Sequence, residues 1–204
     1  MAAVEIRRTA SLNKVPEVTL VFWIIKVLST TVGETGADYL AVHVGLGATW
    51  TDCIMLMLLA IALAIQLRTA RYVPWIYWLT VVLVSVVGTQ ITDALTDGMN
   101  VSLYVSTSVF GAALATTFAV WYGMERTLSI HTIVTLRRES FYWAAILCTF
   151  ALGTAAGDLA TEALGLGFNI GAIIFGTIIA AVTTTYFLGS NAVLCFWLAY
   201  IMTR

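Results

Sequence analysis

The sequence predicts an all-α polytopic membrane protein, with three tandem transmembrane helical hairpins plus a partial seventh helix. Three observations predict it. Hydrophobic residues make up 60% of the 204-residue chain and charged residues only 10%, whereas a soluble domain carries about 25% charged residues. Six apolar runs approach the about 20 residues that cross a bilayer core. A motif of aromatic, Trp, Gly and Asp recurs at fixed spacing. So few charges cannot coat a soluble surface of this size, and the bilayer must be the solvent for much of the chain.

The elements follow in order. Residues 1–16 read as a cytoplasmic N-terminal tail, with no apolar core and small-residue cleavage site of a signal peptide. The first repeat covers residues 17–67, with spans at about 17–37 and 48–67. The second covers 74–123, with spans at about 74–92 and 101–123; Pro74 falls in a first helical turn, where it is tolerated. The third covers 141–188, with spans at about 141–157 and 168–188. Residues 191–204 read as a partial fourth repeat, too short to span. Glycines 45, 47, 165 and 167 read as turn residues between paired helices, with Gly98 playing that part in the second unit.

The connections alternate in charge. Arg7, Arg8, Lys14, Arg68, Arg71, Arg126, Arg137 and Arg138 fall in one set. Asp38, His43, Asp52, Asp93, Asp97, Asp158 and Glu162 fall in the other, which contains no Lys or Arg. The positive-inside rule puts the basic set, and with it the N-terminus, in the cytoplasm.

The repeat aligns without gaps over Phe22–Asp38, Tyr77–Asp93 and Tyr142–Asp158. Each copy has an aromatic residue followed by Trp (Trp23, Trp78, Trp143). Gly follows ten residues after the Trp (Gly33, Gly88, Gly153), and Asp five residues after that. Fifteen helical residues rise about 22 Å, so Trp and Asp lie near opposite interfaces. Trp suits the aromatic belt and Gly suits close helix contact. Phe196–Trp197 opens a fourth copy, and the chain stops three residues before its Gly would fall. It therefore reads as truncated or as ending in an incomplete repeat.

The segments KVPEVTLVFWIIKVLSTTVGETGADYL, ERTLSIHTIVTLRRESFYW, FALGTAAGDLATEALGLG and NAVLCFWLAYIMTR resemble a family of bacterial inner-membrane proteins. That family is built of tandem two-helix repeats of unknown function, each with a characteristic Trp. The resemblance implies four repeats and a multi-pass inner-membrane location. It carries over no activity.

Chemistry falls on a few ionisable residues. Asp38, Asp93 and Asp158 occupy equivalent positions and, grouped at one mouth, would select cations. As hard oxygen donors they are also the candidate ligands for a divalent metal. The plainer reading makes each a solvated helix end. Lys26 and Glu34 break the repeat, standing where the other copies have Val81 and Ile146, and Thr89 and Thr154. A charge at the bilayer centre costs about 2.5–3.5 kcal/mol on insertion scales, and such residues are functional candidates. Lys26 and Glu34 sit about 80° apart around the helix, so they do not pair directly. Glu34 and Asp38 share a face at i, i+4, where like charges repel, an arrangement that suits a proton or a shared cation. Thr30, Thr31, Thr35, Thr89, Gln90, Thr92 and Thr154 line a polar path or bond helix to helix.

His43 is a candidate partner of Asp38, while His131 lies in a linker on the opposite side. Cys53, Cys148 and Cys195 lie in apolar runs, with no CxxC pair, and read as packing residues. No hydrolase, metalloprotease, P-loop or dinucleotide motif is present, so the expectation is a non-enzyme without a cofactor. The expected function is a small-cation transporter or channel with intramembrane carboxylates as ion or proton sites. The alternative is a non-transporting scaffold or a partner- or lipid-binding subunit. The expected partners are the lipid bilayer and a small cation, not nucleic acid; the sequence fixes no oligomeric state.

Overall fold

The computed structural model describes residues 13–203, so Arg7, Arg8 and the rest of residues 1–12 lie outside the described residues, as does Arg204. Among the described residues, seven α-helices follow in order: α1 (Leu20–Asp38), α2 (Ala48–Arg68), α3 (Pro74–Asp93), α4 (Leu103–Glu125), α5 (Leu136–Asp158), α6 (Gly167–Phe187) and α7 (Ala192–Met202). No strand occurs among the described residues. The first six helices, with their short extensions, are long and apolar enough to cross a membrane, and α7 is shorter.

Local signals set the helix starts. Thr19 caps α1 through its side-chain oxygen, which accepts from the Phe22 amide at 3.3 Å. Asn191 caps α7 by accepting from the Val193 and Leu194 amides at 2.9 and 3.2 Å. Helix α5 begins five residues before the expected Phe141. Thr135 Oγ1 accepts from the Arg138 amide at 3.3 Å, so the cap lies upstream of the apolar run. Residues 137–139, which read as a charged linker, therefore form its first turn.

Within each hairpin the first helix is the more buried. In their most apolar stretches α1 is 33% buried against 22% for α2, α3 61% against 17% for α4, and α5 33% against 6% for α6. The return helices present large apolar side chains outward, such as Leu56, Met57 and Ile61 on α2 and Phe168 and Ile173 on α6. Such surfaces suit lipid, not water.

The chain divides into two compact units. One holds residues up to 87 together with 117–147, and the other holds 88–116 with 148 onward. In the first unit the aromatic of one repeat packs on the Trp of the next. Phe22 lies 5.5 Å from Trp78 at 51°, and Tyr77 lies 5.5 Å from Trp143 at 49°. Gly33 admits α3 so closely that an added Cβ would meet Val86 Cγ2 at 3.0 Å and Val82 Cγ1 at 3.1 Å. The second unit contains the same contact one repeat further on. A Cβ at Gly88 would meet Phe150 Cβ at 2.8 Å and the Ala151 amide nitrogen at 3.2 Å. Val86 and Ala151 are equivalent, each eight residues after its Trp. In the same unit Phe110, Ala151 and Ala155 form an apolar cluster, and Phe150 packs edge-on against Tyr200 of α7 at 5.8 Å.

The repeat Asp does not stop its helix. A five-residue π-helical turn follows each one: Tyr39–His43, Ala94–Gly98 and Leu159–Ala163. The wider turn is then closed by matching bonds six residues back, from Leu46 to Leu40, Val101 to Leu95 and Leu166 to Ala160 (3.4, 3.0 and 3.3 Å, amide to carbonyl). The left-handed residue of this closure is Gly45 (φ 76°) in the first copy and Gly165 (φ 65°) in the third. In the second copy it is Asn100 (φ 52°), not Gly98, which lies inside the π turn. Asn tolerates this region because its short amide bonds locally.

Candidate functional site

The buried face of α1 runs Phe22, Lys26, Ser29, Thr30, Gly33 and Ala37. The spacing is helical, so one stripe of the helix turns inward. Three consecutive members of that stripe are polar. Lys26 is 0% exposed. The equivalent residues of the other copies, three after each Trp, are equally enclosed: Val81 at 0%, Ile146 at 0% and Tyr200 at 1%. The fold thus encloses this position in every copy, whatever side chain it carries. Only the first copy fills it with a charge, and neighbouring groups engage Lys26 there.

Glu34, eight residues along, is half-buried, as are its equivalents Thr89 and Thr154. Thr89 and Thr154 face each other within the second unit, with hydroxyl oxygens 3.4 Å apart. Asp38 and Asp93 are exposed, and Asp158 is half-buried. Each sits at the junction of an α-helix and its π turn and makes no side-chain cap to that turn. Neighbours engage Glu34, Asp93 and Asp158. Among the described residues no group of three or more His, Cys, Asp or Glu is placed to hold a metal ion. His43 is exposed and stacks on Tyr39 at 5.2 Å, and His131 is exposed on a 3-10 turn at Ile130–Thr132.

The threonines form bonds along and between helices. Thr30 and Thr31 donate to the Val27 carbonyl at 2.7 and 3.3 Å. Thr92 donates to the Gly88 carbonyl at 3.2 Å and across to the Ala151 carbonyl at 3.1 Å. Two of the repeat tryptophans are enclosed by protein. Trp143 is only 5% exposed and Trp197 4%. Trp78 donates its indole N–H to Tyr72 Oη at 3.1 Å. Burial raises the pKa of the Tyr72 hydroxyl, and the Trp78 N–H works against that rise.

Two polar clusters in the first unit join residues far apart in the sequence. Lys14 Nζ lies 2.5 Å from Glu139 Oε2, and Gln66 Nε2 donates to Glu139 Oε1 at 2.9 Å. Lys14 also donates to the Leu67 carbonyl at 3.2 Å, and all three side chains are buried. Backbone pairing secures the segment, with the Lys14 amide on the Ile133 carbonyl at 3.0 Å and the Ile133 amide on Asn13 Oδ1 at 3.2 Å. Separately, Tyr77 and Tyr142, both fully buried, share a hydrogen bond of 2.6 Å. They are the pre-Trp aromatics of successive copies, so the motif's aromatic position held a usable signal. The Lys14 cluster had none, because its members lie in three segments far apart along the chain.

Apolar spans, tandem hairpins and buried polar positions together define a multi-pass helical membrane protein built from an internal repeat. A family model described as Repeat of Unknown Function (DUF347) matches residues 21–72, 76–127 and 141–190, one match per hairpin. The chain belongs to that family. No curated protein and no solved structure matches it.

Proposed function

We propose that the protein moves a small cation or proton across a bacterial inner membrane, with Lys26 and Glu34 as the intramembrane titratable groups. Asp38, Asp93 and Asp158 are the carboxylates of the acidic end in this reading, available to a cation or a proton and, as hard oxygen donors, to a divalent ion. One observation carries the proposal: a lysine wholly enclosed in an apolar span, at a position where other copies carry Val, Ile or Tyr. Packing alone asks for no charge there, and charge inside a membrane is expensive. The polar neighbours Ser29 and Thr30 share its buried stripe. Acidic groups at the end of a pathway raise local cation concentration. The N-terminus is cytoplasmic in this reading, which the basic residues Lys14, Arg68, Arg71, Arg126, Arg137 and Arg138 support.

Reconstitution into liposomes tests this reading. Proton flux is followed with an internal pH dye, and other cations with a panel of mono- and divalent ions. Flux is expected in the wild type and reduced flux in Lys26→Gln, Glu34→Gln, Asp38→Asn, Asp93→Asn and Asp158→Asn. Absence of flux across the whole panel would end the transport reading. Unchanged flux in all five variants would end the residue assignment. Topology reporters at His43 and His131 should appear on opposite sides, with His131 inside.

A further inference from the structure

An apolar cleft of about 240 Å³ lies between α2 and α5 in the first unit. Leu59, Leu63 and Leu67 form one wall, at i, i+4 and i+8 along α2. Trp143, Ala144 and Leu147 form the other, with Val84 of α3 also lining it. Three leucines at that spacing make the cleft about 12 Å long, and it runs along the helices, parallel to the spans. Its ends differ in chemistry. Leu67 is followed directly by Arg68, which is exposed. Ser140 and Ala144 are shared with a neighbouring depression that also includes Arg137.

Arg137 and Arg138 both bond the single carboxylate of Glu125, Arg138 Nε at 2.6 Å from Oε2. Two guanidiniums and one carboxylate leave a positive charge. Arg138 is tied down further by a bond from Nη1 to the Thr132 carbonyl at 3.1 Å. The Arg137 side chain remains 59% exposed. The excess charge therefore stands open at the end of an apolar groove of acyl-chain orientation.

We propose that this cleft holds one acyl chain of an anionic phospholipid, whose headgroup phosphate is held by Arg137. The chain lies against the leucine stripe of α2 and the Trp143 ring. The phosphate meets the positive charge that Glu125 leaves unbalanced. This site is independent of any transport activity.

The test uses the full chain in nanodiscs of equal phosphatidylglycerol and phosphatidylcholine, released into mild detergent for native mass spectrometry. The wild type should retain phosphatidylglycerol about five-fold over phosphatidylcholine, as expected for one basic side chain near a headgroup. Arg137→Gln should bring the two lipids level. Leu63→Trp should fill the cleft and remove both, and Ala144→Phe fills it from the other wall should the first variant fail to fold. Equal retention of both lipids by the wild type overturns the proposal. So does undiminished phosphatidylglycerol in a folded cleft-filling variant. A dimer peak lost on filling the cleft also overturns it, because a second copy would then be the occupant.

Discussion

Lys14 and Glu139 meet at 2.5 Å across 125 residues of sequence, and both are buried, at 6% and 1% exposure. Glu139 also accepts from Gln66, so one carboxylate ties together the segment before α1, the end of α2 and the start of α5. Removing one partner of a buried pair strands the other charge and costs about 3–5 kcal/mol. Lys14→Met and Glu139→Leu should each lower the melting temperature of the detergent-solubilised protein by that equivalent. The triple variant Lys14→Met, Gln66→Leu, Glu139→Leu should recover most of the loss, since neither charge of the pair is left buried without its partner. Lasting destabilisation in the triple variant would show that packing, not charge, dominates there.

The repeat glycines should differ in their tolerance of a methyl group. Gly88→Ala places a Cβ 2.8 Å from Phe150 Cβ, a contact that backbone must relieve, and overpacking of this kind costs about 1–3 kcal/mol. Gly33→Ala meets valine methyls at 3.0–3.1 Å and the Val82 carbonyl at 3.1 Å, so a smaller loss is expected. Gly36→Ala meets nothing within 4 Å and should gain up to about 1 kcal/mol of helix propensity. Thermal melts of the three variants check the order.

The left-handed closure after each π turn gives a backbone prediction. Gly45→Ala and Gly165→Ala should each cost about 1–2 kcal/mol, the penalty of a Cβ in that region. Asn100→Gly should be neutral or stabilising, while Asn100→Val should destabilise at least as much as Gly45→Ala. Denaturation of the purified variants would read this directly. A neutral Asn100→Val would contradict the assignment of Asn100 to the glycine position.

Lys26→Met places an unbranched apolar side chain in an enclosure that Val, Ile and Tyr fill in the other copies. The variant should remain monodisperse on gel filtration with wild-type helix content, yet lose cation or proton flux. Wild-type flux in a well-folded variant would remove Lys26 from the pathway. Aggregation would instead assign the lysine a structural role.

The sequence by itself determined the class, the count and the unit. Few charges, six apolar runs and an exact Trp–Gly–Asp spacing are local or periodic signals, readable without knowing what touches what. Helix limits matched closely wherever a Pro or an apolar run marked the edge, as at Pro74 and Ala48. They missed at α5, because a Thr cap and a buried Glu139 extended the helix through residues that look like a loop. The π turns after each Asp were also hidden, since a widened turn needs no special composition. Of the site, Lys26 was legible as an anomaly against its own repeat. Tertiary structure alone decided that its position is fully enclosed in every copy. It alone also joined Lys14, Gln66 and Glu139. Periodicity fixes which way a side chain points on its own helix, but only packing fixes what stands opposite.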